Sequence, residues 1–188
     1  MRLTPSRQPR PDRSRAAFTL VEILVVVIIM GISAALVVPN IGTRNDQNAA
    51  AAARVVMADL MFAQNRAIMA QGMRYVNIST TNQNYAVLSA SPASPPLVYE
   101  QNPSTLRNYI TVFGTTAASG ALQTASLQTP SVDGKTCIAF DALGQPYSVD
   151  PSSGVAALLV SAATIPVRCG TFTLTVYVEP YTGAISVQ

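Results

Sequence analysis

Glu22 is the residue whose type and position most need a chemical explanation. It is the only ionisable side chain between Phe18 and Val38, in the stretch FTLVEILVVVIIMGISAALVV. A charge in the middle of an apolar helix costs about 2.5–3.5 kcal/mol on membrane-insertion scales and less near the interface. Such a charge normally marks a functional group that has a partner. Glu22 is therefore predicted to act in this segment.

Other residues that could do chemistry are scarce. The chain contains no histidine, and Lys135 is its only lysine, so the commonest general base and zinc ligand are missing. No phosphate-binding loop, nucleophile elbow, dinucleotide-binding glycine pattern or zinc-ligand spacing occurs. Asp133, Asp141 and Asp150 lack the spacing of a calcium loop and are predicted to be turn residues. These patterns predict a protein that is not an enzyme and that uses no metal or cofactor.

Two cysteines, Cys137 and Cys169, lie in the C-terminal part of the chain. In a non-cytoplasmic protein a lone pair indicates one disulfide, which would stabilise the fold by about 3–4 kcal/mol. The alternative is two buried free thiols. The compartment decides between them.

Charge is distributed unevenly along the 188 residues. Residues 1–17 contain five arginines and one aspartate, whereas the remainder holds seven basic and eight acidic side chains. The 21 residues from Phe18 to Val38 would span roughly 30 Å as a helix, which matches the hydrocarbon core of a bilayer. The positive-inside rule then places the N-terminus in the cytoplasm and the rest across the membrane, where disulfides persist. We therefore expect a disulfide between Cys137 and Cys169.

Three interpretations of the N-terminal segment compete. A secretory signal peptide would have a shorter apolar run and no charge within it, although Ser33-Ala34-Ala35 could pass for its cleavage site. A plain signal anchor explains the length but leaves Glu22 unexplained. The third interpretation rests on a resemblance.

The stretch FTLVEILVVVIIMGISAALVVP closely resembles the N-terminal signature of type IV pilins and type II secretion pseudopilins. In that family a basic leader is cut just before a Phe that is commonly followed by Thr-Leu-x-Glu. The resemblance implies a leader over residues 1–17, a cut between Ala17 and Phe18, and N-methylation of Phe18. Pro39 corresponds to the proline that kinks the helix in many members. The family's leader usually ends in Gly, whereas this one ends in Ala17.

The same resemblance implies a role for Glu22 and a set of partners. In the family account, this carboxylate neutralises the new α-amino group of a neighbouring subunit during fibre assembly. A cap on the first turn of its own helix is the alternative, and the sequence does not separate the two. The implied partners are other pilins or pseudopilins, a prepilin peptidase, an inner-membrane assembly platform and membrane lipid. The implied location is the bacterial inner membrane, with a periplasmic C-terminal domain, and then a pilus or pseudopilus.

Beyond Pro39, the pattern changes from helix to strands. Residues 40–72 form the amphipathic half of the helix, with Val56, Leu60, Ala63 and Ala67 in one apolar stripe, whereas Asp59 is assigned to the other face. Residues 73–188 form the β-sheet domain. Its predicted strands are MRYVNIST, NYAVLSA, NYITVFG, KTCIAF, VAALLVS and TFTLTVYVE, and PYTGAISVQ closes a terminal hairpin. The segment 115–134 is predicted to be a surface loop. The fold class is thus α+β and pilin-like, with a long helix on an antiparallel sheet.

Within that group the sequence most resembles the GspH/FimT-type minor pseudopilins. The resemblance rests on Arg66-Ala67 at the helix end, on Phe140 and Gly144 in a short turn, and on Thr182-Gly183 in the closing hairpin. Some FimT-like relatives bind DNA through arginines after this last glycine, but TGAISVQ carries no positive charge, so nucleic acid is not expected as a partner. A DNA-binding minor pilin and an unprocessed, signal-anchored periplasmic domain remain the alternatives to a structural fibre subunit.

Overall fold

The computed structural model describes residues 18–37 and 44–188, and the chain divides into two compact units after Gly42. The described part of the first unit is a single helix, α1 (Leu20–Val37). Every side chain from Phe18 to Ala34 is exposed. The second unit contains a long helix and all the described strands.

Within the described residues, no helix combines the length and the apolar character needed to cross a bilayer. Two residues of the predicted N-terminal machinery, Ala17 and Pro39, lie outside the described residues. The proposed cut after Ala17 and the kink at Pro39 therefore stay predictions, as do the boundaries 1–17, 18–39, 40–72 and 73–188.

The second helix, α2 (Arg44–Met69), is amphipathic, as its apolar spacing predicted. The predicted stripe of Val56, Leu60, Ala63 and Ala67 is buried, with each residue at most 2% exposed. Three alanines extend the stripe towards the N-terminus, namely Ala49, Ala52 and Ala53. Small side chains on this face let the helix lie close to the sheets beneath it.

Ten strands are described in the second unit. In chain order they are β1 (Arg74–Ser79), β2 (Asn84–Leu88), β3 (Ile110–Val112), β4 (Ala125–Leu127), β5 (Cys137–Phe140), β6 (Pro146–Val149), β7 (Ala156–Leu158), β8 (Ala163–Cys169), β9 (Phe172–Val178) and β10 (Ile185–Val187). They form a six-stranded sheet in the order β3-β2-β1-β5-β6-β7 and a four-stranded sheet in the order β10-β9-β8-β4. All neighbouring strands pair antiparallel.

The core lies where α2 packs on both sheets. Alternation along β1 and β5 directs Val76, Ile78, Ile138 and Phe140 towards the helix. The opposite face of the six-stranded sheet carries a smaller apolar cluster around Cys137. A helix packed on antiparallel sheets confirms the predicted α+β class.

The strand predictions were confirmed in part. The β1–β2 hairpin, β3, β5, β7 and the β9–β10 hairpin fall where the alternating patterns placed them. The segment 115–134 is not a loop throughout, because it contains a short 3₁₀ helix (Gly120–Gln123) and β4. Strand β8 was missed because it contains Pro166, which argues against a strand. The carbonyl of Pro166 accepts the N–H of Gln128, which shows that β8 pairs on this side despite the missing proline N–H.

Candidate functional site: the N-terminal helix and the polar contacts of the globular unit

The start of α1 is defined by Thr19. Its hydroxyl oxygen accepts the backbone N–H of Glu22 at 3.2 Å, and its carbonyl accepts the N–H groups of Glu22 and Ile23 at 3.0 and 3.3 Å. Threonine is a favoured N-cap, and Thr-x-x-Glu is the sequence of a capping box. Glu22 is consequently the third residue of the helix, in the first turn, where the helix dipole favours a negative charge.

The side chain of Glu22 is exposed. Among the described residues, no group donates a hydrogen bond to its carboxylate or forms an ion pair with it. Phe18, the predicted first residue after the cut, is 75% exposed and lies one residue before the cap. An amine created at Phe18 would therefore be separated from the Glu22 carboxylate by about one helical turn.

The other described side chains of α1, from Leu20 to Ala34, are exposed, and all but Ser33 are apolar. Leu20, Ile23, Leu24, Val27 and Ile28 line one continuous face, and each is at least half exposed. Large apolar side chains that are all exposed require an apolar partner, because leaving them in water is costly. The helix therefore presents one carboxylate at its start and a surface suited to lipid or to other helices.

In the globular unit, Gln64 connects two distant turns. Its side-chain amide donates to the carbonyls of Gly144 and Gly183, at 3.0 and 3.1 Å. Both glycines have positive φ, of +81° and +65°. The two turns belong to the Phe140–Gly144 and Thr182-Gly183 motifs of the sequence resemblance, and the structure thus brings these motifs together on α2.

The helix-end motif has a different role. The Arg66 Nε donates to one carboxylate oxygen of Glu100 at 3.0 Å, and the Nε of Arg74 lies 2.5 Å from the other. The Glu100 side chain is only 8% exposed, so it is a buried acid held between two guanidinium groups. Ala67, the other residue of this motif, is fully buried against the sheets. The motif joins α2 to β1 and to the loop that follows β2.

A buried carboxylate was missed by the sequence analysis. Asp59 was assigned to the outer face of α2, but it is only 8% exposed. Its oxygens accept hydrogen bonds from Tyr85 at 2.5 Å, Tyr109 at 2.8 Å and Thr111 at 2.8 Å. The spacing did contain a signal, because Asp59 lies three residues after Val56 and four before Ala63, on the same helix face.

This cluster changes the acidity of the two tyrosines. Burial, and then the negative charge of Asp59, raise the pKa values of Tyr85 and Tyr109 well above the ordinary tyrosine value. Both phenols therefore stay protonated and donate to the carboxylate. The arrangement ties α2 to β2 and β3 without a cationic partner among the described residues.

The structure describes both Cys137 and Cys169 as free and buried, in place of the predicted disulfide. Strand β5 belongs to the six-stranded sheet and β8 to the four-stranded one. Cys137 packs with Ala139 and Val149 on the face away from α2, and burial raises the pKa of its thiol to about 12. The Cys169 sulfur lies 3.3 Å from the hydroxyl oxygen of Thr124.

The loop aspartates serve as turn residues, as predicted. Asp133 accepts the N–H groups of Val160 and Ser161, and Asp141 accepts those of Leu143 and Gln145. Asp150 accepts the hydroxyl of Ser152 at 2.6 Å and nearby backbone N–H groups, which together lower its pKa to about 2. No group of three or more potential metal ligands occurs in the described part of the chain.

Comparison with known proteins supports the sequence signature. The family described as the prokaryotic N-terminal methylation motif matches residues 12–38. The chain is 37% identical over 86 residues to the type II secretion system core protein G of Klebsiella michiganensis, covering 45% of this chain and 56% of that protein. It is 34% identical over 91 residues to the core protein G of Escherichia coli K12, covering 48% and 59% respectively. The chain thus spans less than two thirds of the length of these curated relatives.

The fold also has a solved counterpart. The crystal structure of the minor pseudopilin EPSH from the type II secretion system of Vibrio cholerae superposes with a TM-score of 0.51 at 11% identity. The match covers 76% of this chain and 94% of that one. At such low identity the likeness shows a shared fold. The N-terminal motif and the core protein G relatives confirm the predicted resemblance to type IV pilins and pseudopilins.

Proposed function

We propose that this protein is a minor pilin or pseudopilin: a structural subunit of a fibre that is assembled from the bacterial inner membrane. Its N-terminal segment anchors the precursor, with the globular unit on the periplasmic side, until assembly. A prepilin peptidase cuts between Ala17 and Phe18, and the new terminus is N-methylated. A type II secretion system is the favoured context, because the curated relatives are core proteins of such systems.

The observation that carries this proposal is the geometry at the start of α1. The Thr19 cap places an exposed Glu22 carboxylate in the first turn of a helix whose described side chains are all exposed and otherwise uncharged. In the fibre, neighbouring helices cover the apolar surface. The carboxylate then pairs with the amine of an adjacent subunit's Phe18, an interaction that strengthens when water is excluded.

The geometry also bears on the choice between the two roles considered for Glu22. A self-cap would have the carboxylate accept an N–H of its own first turn, as in a capping box. Among the described residues the Glu22 carboxylate accepts no such hydrogen bond, and the side chain is exposed. Pairing with a neighbour is therefore the role we propose.

Processing is tested by intact-mass analysis of the full chain co-expressed with a prepilin peptidase. We expect loss of residues 1–17 and gain of one methyl group on Phe18. The Phe18→Ala variant tests whether the substitution changes cleavage and methylation independently, because intact mass reads both. A chain that keeps residues 1–17 in the presence of an active peptidase would support the unprocessed, signal-anchored alternative and contradict the proposal.

Assembly is tested with Glu22→Gln, which keeps the size of the side chain and removes its charge. We expect wild-type levels of the variant in the membrane but at least a tenfold loss from sheared fibres, as for a broken desolvated ion pair. Glu179→Gln is the matched control, because Glu179 is an exposed glutamate of the globular unit. Normal incorporation of Glu22→Gln would refute the assembly role.

A further inference from the structure

A groove of about 430 Å³ opens between the last turns of α2 and the loop that follows β2. Phe62, Arg66 and Met69 form the helical wall, and Glu100, Pro103 and Leu106 belong to the wall formed by the loop. It lies entirely within the globular unit. The two turns held by Gln64 do not contribute to its lining.

The loop that forms the second wall is internally braced. The side-chain oxygen of Asn102 accepts the N–H groups of Ser104 and Thr105, and its carbonyl accepts the N–H of Leu106 at 2.8 Å. A backbone bond from Tyr109 to Glu100 closes the base of the loop. The wall is therefore preformed and does not need to be ordered by a ligand.

Two large apolar side chains at the rim are left in water. Met69 is 76% exposed and Leu106 is 74% exposed. Leu106 also has φ of +55°, a conformation that leucine adopts rarely and that asparagine or glycine adopts more easily. The loop thus keeps an apolar side chain exposed to water and in a backbone conformation that leucine rarely adopts. A feature that is unfavourable on both counts calls for a functional explanation.

The groove wall holds one cation, Arg66, and one acid, Glu100. One carboxylate oxygen of Glu100 accepts the Arg66 Nε–H, and the other forms an ion pair with Arg74, a residue outside the wall. The Arg66 side chain is 44% exposed, and among the described residues its terminal nitrogens make no hydrogen bond. Asp59 is not among the groove residues, and its carboxylate already accepts hydrogen bonds from three hydroxyl groups.

We propose that this groove binds a polypeptide segment of a partner protein that presents a carboxylate beside a large apolar side chain. The carboxylate engages the free edge of the Arg66 guanidinium, which is shaped for bidentate pairing. The apolar side chain inserts between Met69 and Leu106. A bare anion or a nucleic-acid backbone would satisfy Arg66 but would leave the apolar rim uncovered, so an acidic and apolar peptide fits both features. This docking surface goes beyond the proposed fibre role and does not depend on it.

The test uses the full chain in detergent micelles, labelled with ¹³C on the methyl groups of its methionines, so that Met69 reports on the groove and Met61 on another part of α2. The probe is the peptide acetyl-Ala-Leu-Glu-Leu-Ala-amide. We expect a saturable shift of the Met69 signal and an unmoved Met61 signal. The Gln analogue of the peptide should bind about tenfold more weakly, as should an analogue with Ser in place of both Leu residues.

Substitutions in the groove test whether the shift of the Met69 signal arises from peptide binding there. Arg66→Gln removes the guanidinium while Glu100 keeps Arg74, and Leu106→Asn removes the apolar rim while suiting the positive φ. Each should abolish the shift of Met69. Leu143→Asn is the matched control, because Leu143 is 79% exposed on the turn after β5 and should leave the response unchanged.

Three results would overturn the proposal. The first is no shift of Met69 with any peptide at millimolar concentration. The second is an equal shift with inorganic phosphate, which would indicate an anion site only. The third is an undiminished shift in both groove variants. None of these results bears on cleavage or fibre assembly, which are measured separately.

Discussion

The side-chain amide of Gln64 donates a hydrogen bond to the carbonyl of Gly183 across 3.1 Å, and so joins the middle of α2 to the last turn of the chain. A Cβ at Gly183 would lie 2.5 Å from the Gln64 nitrogen and 2.6 Å from the carbonyl oxygen of Gly144. Both distances are far inside van der Waals contact. The turn therefore requires glycine for space as well as for its positive φ.

Gly183→Ala is expected to destabilise the globular unit by about 2–4 kcal/mol, because the methyl group separates Gln64 from both turns and φ stays strained. Gly134→Ala is the matched control. Gly134 also has positive φ, of +77°, but a Cβ there meets nothing within 4 Å, so about 1 kcal/mol is expected. Denaturant unfolding of the two variants measures the difference. Equal losses would mean that the Gln64 contact contributes nothing.

Asp59→Ala is expected to cost about 3–5 kcal/mol, because it leaves two buried tyrosine hydroxyls and the partly buried hydroxyl of Thr111 without their acceptor. Tyr109→Phe should cost about 1.5–3 kcal/mol, the range for a hydrogen bond to a charged group. Since both changes break the same contact, their combined cost should fall below the sum by at least about 1 kcal/mol. Tyr147→Phe is the control, because its hydroxyl makes only a long 3.4 Å contact with Asp141. Strict additivity would show that Asp59 is not the shared acceptor.

Both thiols should be free and protected. In the absence of reductant, the native chain is expected to take up no alkyl group from iodoacetamide, whereas the unfolded chain takes up two, as read by intact mass. Burial of Cys137 and Cys169 supplies the protection, and the raised pKa of Cys137 reinforces it. Ser161→Cys places a thiol at an exposed position and should react in the native state. An unfolded chain that resists alkylation would reveal a disulfide.

Alkaline pH should weaken the fold through Cys137. Its pKa is about 12 in the folded chain, against an ordinary value of 9.0, because burial disfavours the thiolate. The unfolded chain therefore loses this proton first, and the stability contributed by the neutral thiol is complete below pH 9 and is lost as pH rises towards 12. The stability gap between wild type and Cys137→Ala should narrow by about 1.4 kcal/mol per pH unit in that window. A constant gap between pH 7 and 10.5 in urea titrations would contradict the assignment.

The structure describes free thiols where a disulfide was predicted, and the difference has a physical cause. Two cysteines in a chain with a predicted periplasmic domain made a bond reasonable, but spacing along the chain says nothing about which sheet each strand joins. Strand β5 pairs with β1 and β6, whereas β8 pairs with β4 and β9, and this pairing directs the two sulfur atoms into different surroundings. The alternative of two buried thiols matches the structure.

The sequence by itself determined the features that depend on local order along the chain. The N-terminal motif, the isolated Glu22, the apolar stripe of α2 and the hairpin at the C-terminus are all periodic or contiguous patterns, and local physics is enough to interpret them. The resemblance to pilins and pseudopilins rested on such patterns as well.

Only the tertiary structure decided what happens between residues that are distant in the chain. In the fold, three hydroxyl groups donate hydrogen bonds to Asp59. Gln64 donates to the carbonyls of Gly144 and Gly183, and Arg66 and Leu106 lie on opposite walls of one groove. Each of these contacts joins groups tens of residues apart, and each depends on strand order and on loop conformation. The sequence shows that these side chains are polar or apolar. It does not show the neighbouring groups whose contacts offset the free-energy cost of burying a carboxylate or exposing a leucine, because the fold brings those groups together.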